Sequence, residues 1–245
     1  MNLQKFFGSF FQKRTASVLS LGRRDPDLKF LGSLSSSQLY ALLAGEGAAR
    51  WVELAARDGL KEAQVRYGRM LLAGTGVARD KAAAWRWFAT AARDGDSDAM
   101  NMVGRCHENG WGTAVDMKLA AEWYAKAAAR GDAWAQYNLG HLLLDGNGVA
   151  RDHGAAFAWY SRAAVQGHAR AMNLVGRCHE EGFGTPRNPA AAAAAYRASA
   201  EGGYFRGQYN HATLLHAAGR YGEARAWFAR AAVGRTQHNK EAVLF

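Results

Sequence analysis

Proline is almost missing from this chain, with three residues in 245, and only two cysteines occur. The scarcity of proline removes the strongest helix breaker. Two cysteines cannot make a disulfide framework, and both lie in segments of helical pattern, which suits a reducing compartment and sets a cytoplasmic expectation. No stretch approaches the roughly 20 apolar residues needed to span a bilayer. The opening run MNLQKFFGSFFQKR is a poor secretion signal, because Gly8, Ser9 and Gln12 interrupt its aromatic pairs and no small-residue cleavage site follows. Strand-like alternation is rare too, so the expected fold class is all-α. Acids are outnumbered, with 21 Asp and Glu against 31 Lys and Arg, a formal net charge of +10. That balance attracts acidic proteins, anionic membranes or nucleic acid alike. The basic residues are scattered among acids and form no nucleic-acid motif, so nucleic-acid binding is not expected.

What is abundant is glycine at a fixed interval. Steps of 36 residues link Gly68, Gly104, Gly140 and Gly176, and separately Gly59, Gly95, Gly131, Gly167 and Gly203. Two further ladders run through Gly74, Gly110, Gly146 and Gly182, and through Gly76, Gly112, Gly148 and Gly184, so each unit carries a G-x-G loop. After each loop stands a residue suited to cap a helix: Asp80, Asp116, Asp152 or Asn188. Pro189 fits the first helical position after Asn188. The following helix repeats an apolar stripe, Ala84, Trp87, Phe88, Ala91, Ala92 and then Ala120, Trp123, Tyr124, Ala127, Ala128. The stripe recurs around Trp159 and Tyr160, and more weakly around Tyr196. Its spacing is one face of a helix. A leading half-unit around Trp51 and a shortened unit around Trp227 and Phe228 extend the array. The aromatic pair is expected to fill space between units, and the recurring Gly68 column to allow close backbone approach. Each unit alone buries too little, so stacking makes the core. The resulting division is a basic aromatic segment over 1–36, a solenoid over 37–233 and a frayed tail over 234–245.

A unit such as AQYNLGHLLLDGNGVARDHGAAFAWYSRAAVQG resembles the Sel-one-like repeat family, relatives of the tetratricopeptide repeats, and the resemblance extends over about residues 45 to 233. It implies a right-handed α–α superhelix of helix-turn-helix repeats. It also implies a non-catalytic adaptor that holds a protein or peptide in signalling, assembly or envelope-related complexes, with no cofactor and no small-molecule substrate. Some secreted relatives are linked to β-lactam binding, but those carry a Cys pair in each repeat, which this chain lacks. The segment MNLVGRCHEEG is similar to bacterial proteins associated with iron-uptake gene neighbourhoods, a lead on pathway only.

The units are not equal. AMNMVGRCHENGWGT and AMNLVGRCHEEGFGT lie 72 residues apart, which makes a two-unit super-repeat. Their Cys106–His107 and Cys178–His179 pairs occupy columns that elsewhere hold Met70, Leu142, Leu71 and Leu143, so buried thiols and packed imidazoles with one hydrogen bond are expected. Position 111 is Trp and position 183 is Phe, so no H-E-x-x-H zinc motif follows and no metal site is expected, with a metal-binding or redox protein using these Cys–His pairs as the further alternative. Adjacent helical residues point about 100 degrees apart, which disfavours a Cys–His nucleophile pair.

The candidate binding surface lies on the first helix of each unit, which lines the concave side in related solenoids. It reads Asn101, Arg105, Glu108; Tyr137, His141, Leu144; Asn173, Arg177, Glu180; and Tyr209, Thr213, His216. Arg and Tyr are favoured interface anchors. The competing reading makes Arg105–Glu108 and Arg177–Glu180 local ion pairs. Trp111 and Phe183, between loop glycines, are either exposed anchors or covers for a neighbouring unit. At the N-terminus, Phe6, Phe7, Phe10 and Phe11 with Lys5, Lys13 and Arg14 suit a cap on the first unit, a partner helix or an anionic membrane surface.

Overall fold

The structure is a computed structural model that describes the backbone of residues 47–242 and the side chains of residues 47–236. Among these residues there are eleven helices and no strand. The described residues divide into two compact bodies, with the division after Ala99. The first holds α1 (Ala48–Arg57), α2 (Lys61–Ala73) and α3 (Lys81–Arg93), each packed on the next. Helix α4 (Ser97–Asn109) begins in the first body and runs into the second. Then follow α5 (Met117–Ala129), α6 (Ala133–Asp145), α7 (His153–Val165), α8 (Ala169–Glu181), α9 (Pro189–Glu201), α10 (Phe205–Ala217) and α11 (Tyr221–Ala242). From α5 onward consecutive helices pack against one another, and α8 also meets α10, the arrangement of a helix-pair solenoid.

The caps explain where helices start. Side-chain oxygens of Asp80, Asp116, Asp152 and Asn188 accept from the amides of Ala83, Leu119, Ala155 and Ala191 at 2.8, 2.9, 2.9 and 3.0 Å. Each satisfies one of the free first-turn donors of α3, α5, α7 or α9. The same four residues donate their own amides back to Leu71, His107, Leu143 and His179 carbonyls, which fastens each loop to the first helix. In the fourth repeat the second loop glycine is needed for approach as well as for its positive φ: a Cβ on Gly184 would lie 2.0 Å from the His153 carbonyl oxygen. Nothing larger fits there.

The core is built by the second-helix aromatic residue. Phe88, Tyr124 and Tyr160 are 0% exposed, and Tyr196 is 3% exposed. Here the packing differs from expectation. The glycines at 68, 104, 140 and 176 receive not a neighbouring backbone but the ring of the second helix in their own repeat. A Cβ on Gly104 would come within 2.6 Å of the Tyr124 ring, and one on Gly176 within 2.7 Å of the Tyr196 ring. The partner tryptophans Trp87, Trp123 and Trp159 are half-buried. Lys126 and Arg162 lie 4.4 Å over the rings of Trp123 and Trp159.

Side chains also bond adjoining repeats to each other. Gln136 Nε2 donates to the Ala128 carbonyl of the preceding repeat at 3.2 Å, whereas the bond from Ser199 Oγ to the Ala169 carbonyl at 2.7 Å joins α8 and α9 within the fourth repeat. At the other end, helix α11 keeps its backbone helical to Ala242, past the boundary expected at Val233. Gly234 lies inside it against Phe205, and the residues after it are mostly good helix formers, so the turn chemistry that would end a helix is missing.

Candidate functional site

The first-helix face of the second body is carried by α4, α6, α8 and α10. Its polar residues sort into two kinds. Asn101 and Asn173 are 4% and 6% exposed, and their side-chain oxygens accept from Asn138 Nδ2 and Asn210 Nδ2 at 3.0 and 2.9 Å. These amides clip α4 to α6 and α8 to α10. Glu108 accepts from Tyr124 Oη at 2.6 Å and Glu180 from Tyr196 Oη at 2.5 Å. The carboxylate thereby satisfies the hydroxyl of the buried ring that sits on Gly104 or Gly176. These four residues are engaged with their own chain.

The remaining positions, Trp111 apart, keep part of their surface in solvent. Arg105 is half-buried with its guanidinium 4.9 Å over the Trp111 ring, and Arg177 is exposed, 5.8 Å over Phe183. Trp111 itself is 8% exposed, whereas Phe183 is half-buried and also meets His153 at 5.2 Å. Tyr209 is 57% exposed with its ring 5.4 Å from Phe228. His216 is exposed beside Tyr221 at 5.0 Å, and Thr213 turns its hydroxyl to the Tyr209 carbonyl.

Between α6 and α8 the face becomes an aromatic and imidazole cluster. Tyr137 meets His141 edge-on at 4.7 Å and His168 at 4.9 Å, and His141 meets Tyr160 at 5.6 Å. Trp134 stands edge-on to His168 at 4.4 Å while Arg170 lies 5.1 Å over its ring. Burial holds the His141 imidazole below its ordinary pKa, against the opposing pull of Asp145 and Glu108. Burial, helped by Arg170, lowers His168 to about 4. Its Nδ1 accepts from the Ala171 amide at 3.1 Å and caps α8, so Nε2 carries the proton. Beside this cluster Trp134, His168, Arg170, Tyr204 and Phe205 line a pocket of about 440 Å³ that also reaches Gly234. Trp134, His168 and Arg170 carry no sequence expectation, and Tyr160 is expected as a core position of the second-helix stripe and not as part of a site. Trp134, His168 and Arg170 converge only through helix packing, whereas Tyr160 had a legible signal in the repeat columns.

Cys106 and Cys178 are 0% and 2% exposed and free, and burial pushes their thiols up to about 12 and about 11. His107 is 8% exposed and His179 half-buried. The hydrogen bond expected for each imidazole is not made at Nδ1, which is buried without a partner in both, and the His179 ring lies edge-on to Phe157 at 5.2 Å. Among the described residues no group of three or more His, Cys, Asp and Glu is placed to hold a metal ion. No helix there is long and apolar enough to cross a membrane. Phe6, Phe7, Phe10, Phe11, Lys13 and Arg14 lie outside the described residues.

Comparison with known proteins agrees with this architecture. The chain is similar to a Sel1 repeat protein from Oxalobacter formigenes, at 27% identity and TM-score 0.72, over 80% of this chain and 82% of that one. It is also similar to a protective antigen of uropathogenic Escherichia coli strains with an SLR fold, at 29% identity and TM-score 0.66, over 76% of this chain. That alignment spans only 41% of the antigen's own length. A putative Sel1 repeat protein from Klebsiella pneumoniae, at 17% identity and TM-score 0.53, over 79% of this chain and 96% of that one, shares the fold. No curated protein matches the chain. The Sel1 repeat pattern matches residues 61–96, 97–132, 135–168 and 169–204, more than half of the sequence, and the chain belongs to the Sel1 repeat family.

Proposed function

We propose that this protein is a non-catalytic scaffold that holds a protein or peptide partner on the first-helix face of α4, α6, α8 and α10. The observation that supports this reading is the sorting of that face. Asn101, Asn173, Glu108 and Glu180 are turned to bonds within the chain, while Arg105, Tyr137, His141, Arg177, Tyr209 and His216 keep surface for contact. Such residues combine large contact area with directed hydrogen bonds, as binding hot spots do. In this reading Trp111 and Phe183 hold Arg105 and Arg177 in place across the loops instead of touching the partner first. The net charge of +10 favours an acidic partner. A cytoplasmic site of action suits the two free buried thiols.

The test is capture of partners from the native host with the full chain and with Arg105→Ala, Tyr137→Ala and Arg177→Ala, each compared by quantitative mass spectrometry. Partner recovery should fall at least severalfold for Tyr137→Ala and Arg177→Ala. Equal recovery by all the variants would remove the first-helix face from consideration.

A further inference from the structure

One hydroxyl in the core has no acceptor, and the repeats themselves show what belongs there. In the second repeat Tyr124 donates to Glu108, and in the fourth Tyr196 donates to Glu180. The first repeat has neither group, since the corresponding positions are Phe88 and Leu72. The third repeat keeps the hydroxyl and loses the carboxylate: Tyr160 stands at the ring position, and Leu144 at the glutamate position. Tyr160 is 0% exposed, and its Oη is buried without a hydrogen-bond partner. A buried donor left in that state costs about 1–3 kcal/mol.

We infer that the Tyr160 hydroxyl is a socket for a carboxylate supplied by the partner, an Asp or Glu side chain of an acidic peptide segment that takes the place Glu108 and Glu180 hold in their own repeats. The inference rests on the proposed first-helix binding face and sharpens it to one point between α6 and α8. Three features favour this occupant. The path is short, because exposed Glu180 reaches the equivalent Tyr196 hydroxyl with a single side chain. The cover over Tyr160 is thin, since Leu144, which packs on that cluster, is only half-buried. The surroundings favour an anion: the Arg177 charge acts on Tyr160 and on His141, Arg206 on His141 and Tyr137, and Arg170 on Tyr137, three cations against the two acids Asp145 and Glu108. The bound carboxylate accepts from Tyr160 Oη and lies within the field of Arg177, a charge-assisted hydrogen bond in a partly dry setting.

The experiment uses the full chain and a fluorescein-labelled oligoglutamate peptide, with oligoglutamine as the neutral control, read by fluorescence anisotropy at low salt. Wild type should bind oligoglutamate and not oligoglutamine. Tyr160→Phe keeps the ring over Gly140 and removes only the donor, so affinity should fall about tenfold, the usual worth of one hydrogen bond to a charged group. Leu144→Glu supplies the carboxylate from within, and should lower affinity at least tenfold while raising the melting temperature. Leu144→Ala should bind as well as wild type or better. Tyr124→Phe, whose hydroxyl is already satisfied, should leave peptide binding unchanged. Binding that disappears in Arg177→Ala but is untouched by Tyr160→Phe and Leu144→Glu would overturn the socket and leave the binding face standing. Binding indifferent to Arg177→Ala as well would overturn both, and no binding of oligoglutamate by wild type would overturn the acidic occupant.

Discussion

Replacing Gly140 by Ala tests the packing rule on which the solenoid rests, because two effects of opposite sign compete there. Alanine is the better helix former, and inside an unobstructed helix the change should stabilise by about 1 kcal/mol. At Gly140, however, the new Cβ would lie 2.6 Å from Cε1, 2.8 Å from Cδ1 and 3.0 Å from Cζ of Tyr160. Carbon atoms in contact normally sit about 3.5–4.0 Å apart, so the encroachment is about 1 Å. Tyr160 is 0% exposed and cannot withdraw without displacing Leu174 and Cys178. Overpacking of this kind costs about 1–3 kcal/mol, and the clash is close enough to place it at the upper end. The net expectation is a loss of about 2 kcal/mol, equivalent to roughly 4–8 °C in melting temperature for a body of this size. Gly222 in α11 is the control, since a Cβ there meets nothing within 4 Å. Gly222→Ala should therefore stabilise by about 0.5 kcal/mol, a reduced helix-propensity gain near a helix end. Urea unfolding compares the two by their midpoints, with coincident far-ultraviolet circular dichroism and tryptophan fluorescence transitions as the check on two-state behaviour. A Gly140→Ala variant at least as stable as wild type would refute the argument. In the double variant Gly140→Ala with Tyr160→Leu, the Cβ occupies space the ring has left. The two changes should then be less than additive by about 1 kcal/mol.

Two other measurements follow from burial. His168 has its folded pKa lowered to about 4, below the unfolded value, so the unfolded chain binds more protons between those pH values and stability must fall as pH drops through that window. Partial exposure reduces the effect to about 1–2 kcal/mol, and His168→Asn, which keeps a capping side chain for α8, should remove the corresponding slope from a plot of urea midpoint against pH. The Cys106 and Cys178 thiols, pushed up to about 12 and about 11, should not react with a disulfide reagent at pH 8 in native protein. Both should titrate fully in denaturant, and a fast native phase from either would contradict their place in the core.

The repeat, the caps and the second-helix stripe were legible in the sequence because each depends on local chemistry repeated at a fixed interval. Asp152 must be followed by free amides wherever that helix begins, and Tyr160 and Ala163 must share a face once it has formed. What the glycine column contacts was not legible, since a glycine reports close approach without naming the visitor. The direction of polar side chains on the first helices was hidden for a related reason. Asn101 looks like a surface amide until Asn138 is seen to lie against it, and Asn173 until Asn210 is. Neither pair is close in sequence, so only the stacking of α4 on α6 and of α8 on α10 reveals them. His168 was hidden because its column elsewhere holds Asp96 and Asp132, ordinary caps bonded to Ala99 and Ala135. Only its contacts with Trp134 and Tyr137 mark it as different.

The two-unit super-repeat thereby acquires a physical content. The Asn138–Asn101 and Asn210–Asn173 bonds lie 72 residues apart, and so do the Tyr124–Glu108 and Tyr196–Glu180 bonds. What the second and fourth repeats share is therefore a set of internal bonds, and copying such a pair of repeats copies its packing. At the junction between those copies the same columns hold Tyr137 and Leu174, an apolar contact in the Tyr160 cluster in place of an amide clip. A buried polar group normally persists only when bonded, because removing its partner costs more than removing the pair. By that rule the third repeat, with Leu144 at the glutamate position, should carry Phe at position 160, as the first repeat pairs Phe88 with Leu72. It keeps the hydroxyl, and it does so on the stretch of the face where His141, Tyr137 and Arg177 converge. The disagreement between internal copies thus locates the part of the face that packing alone does not account for.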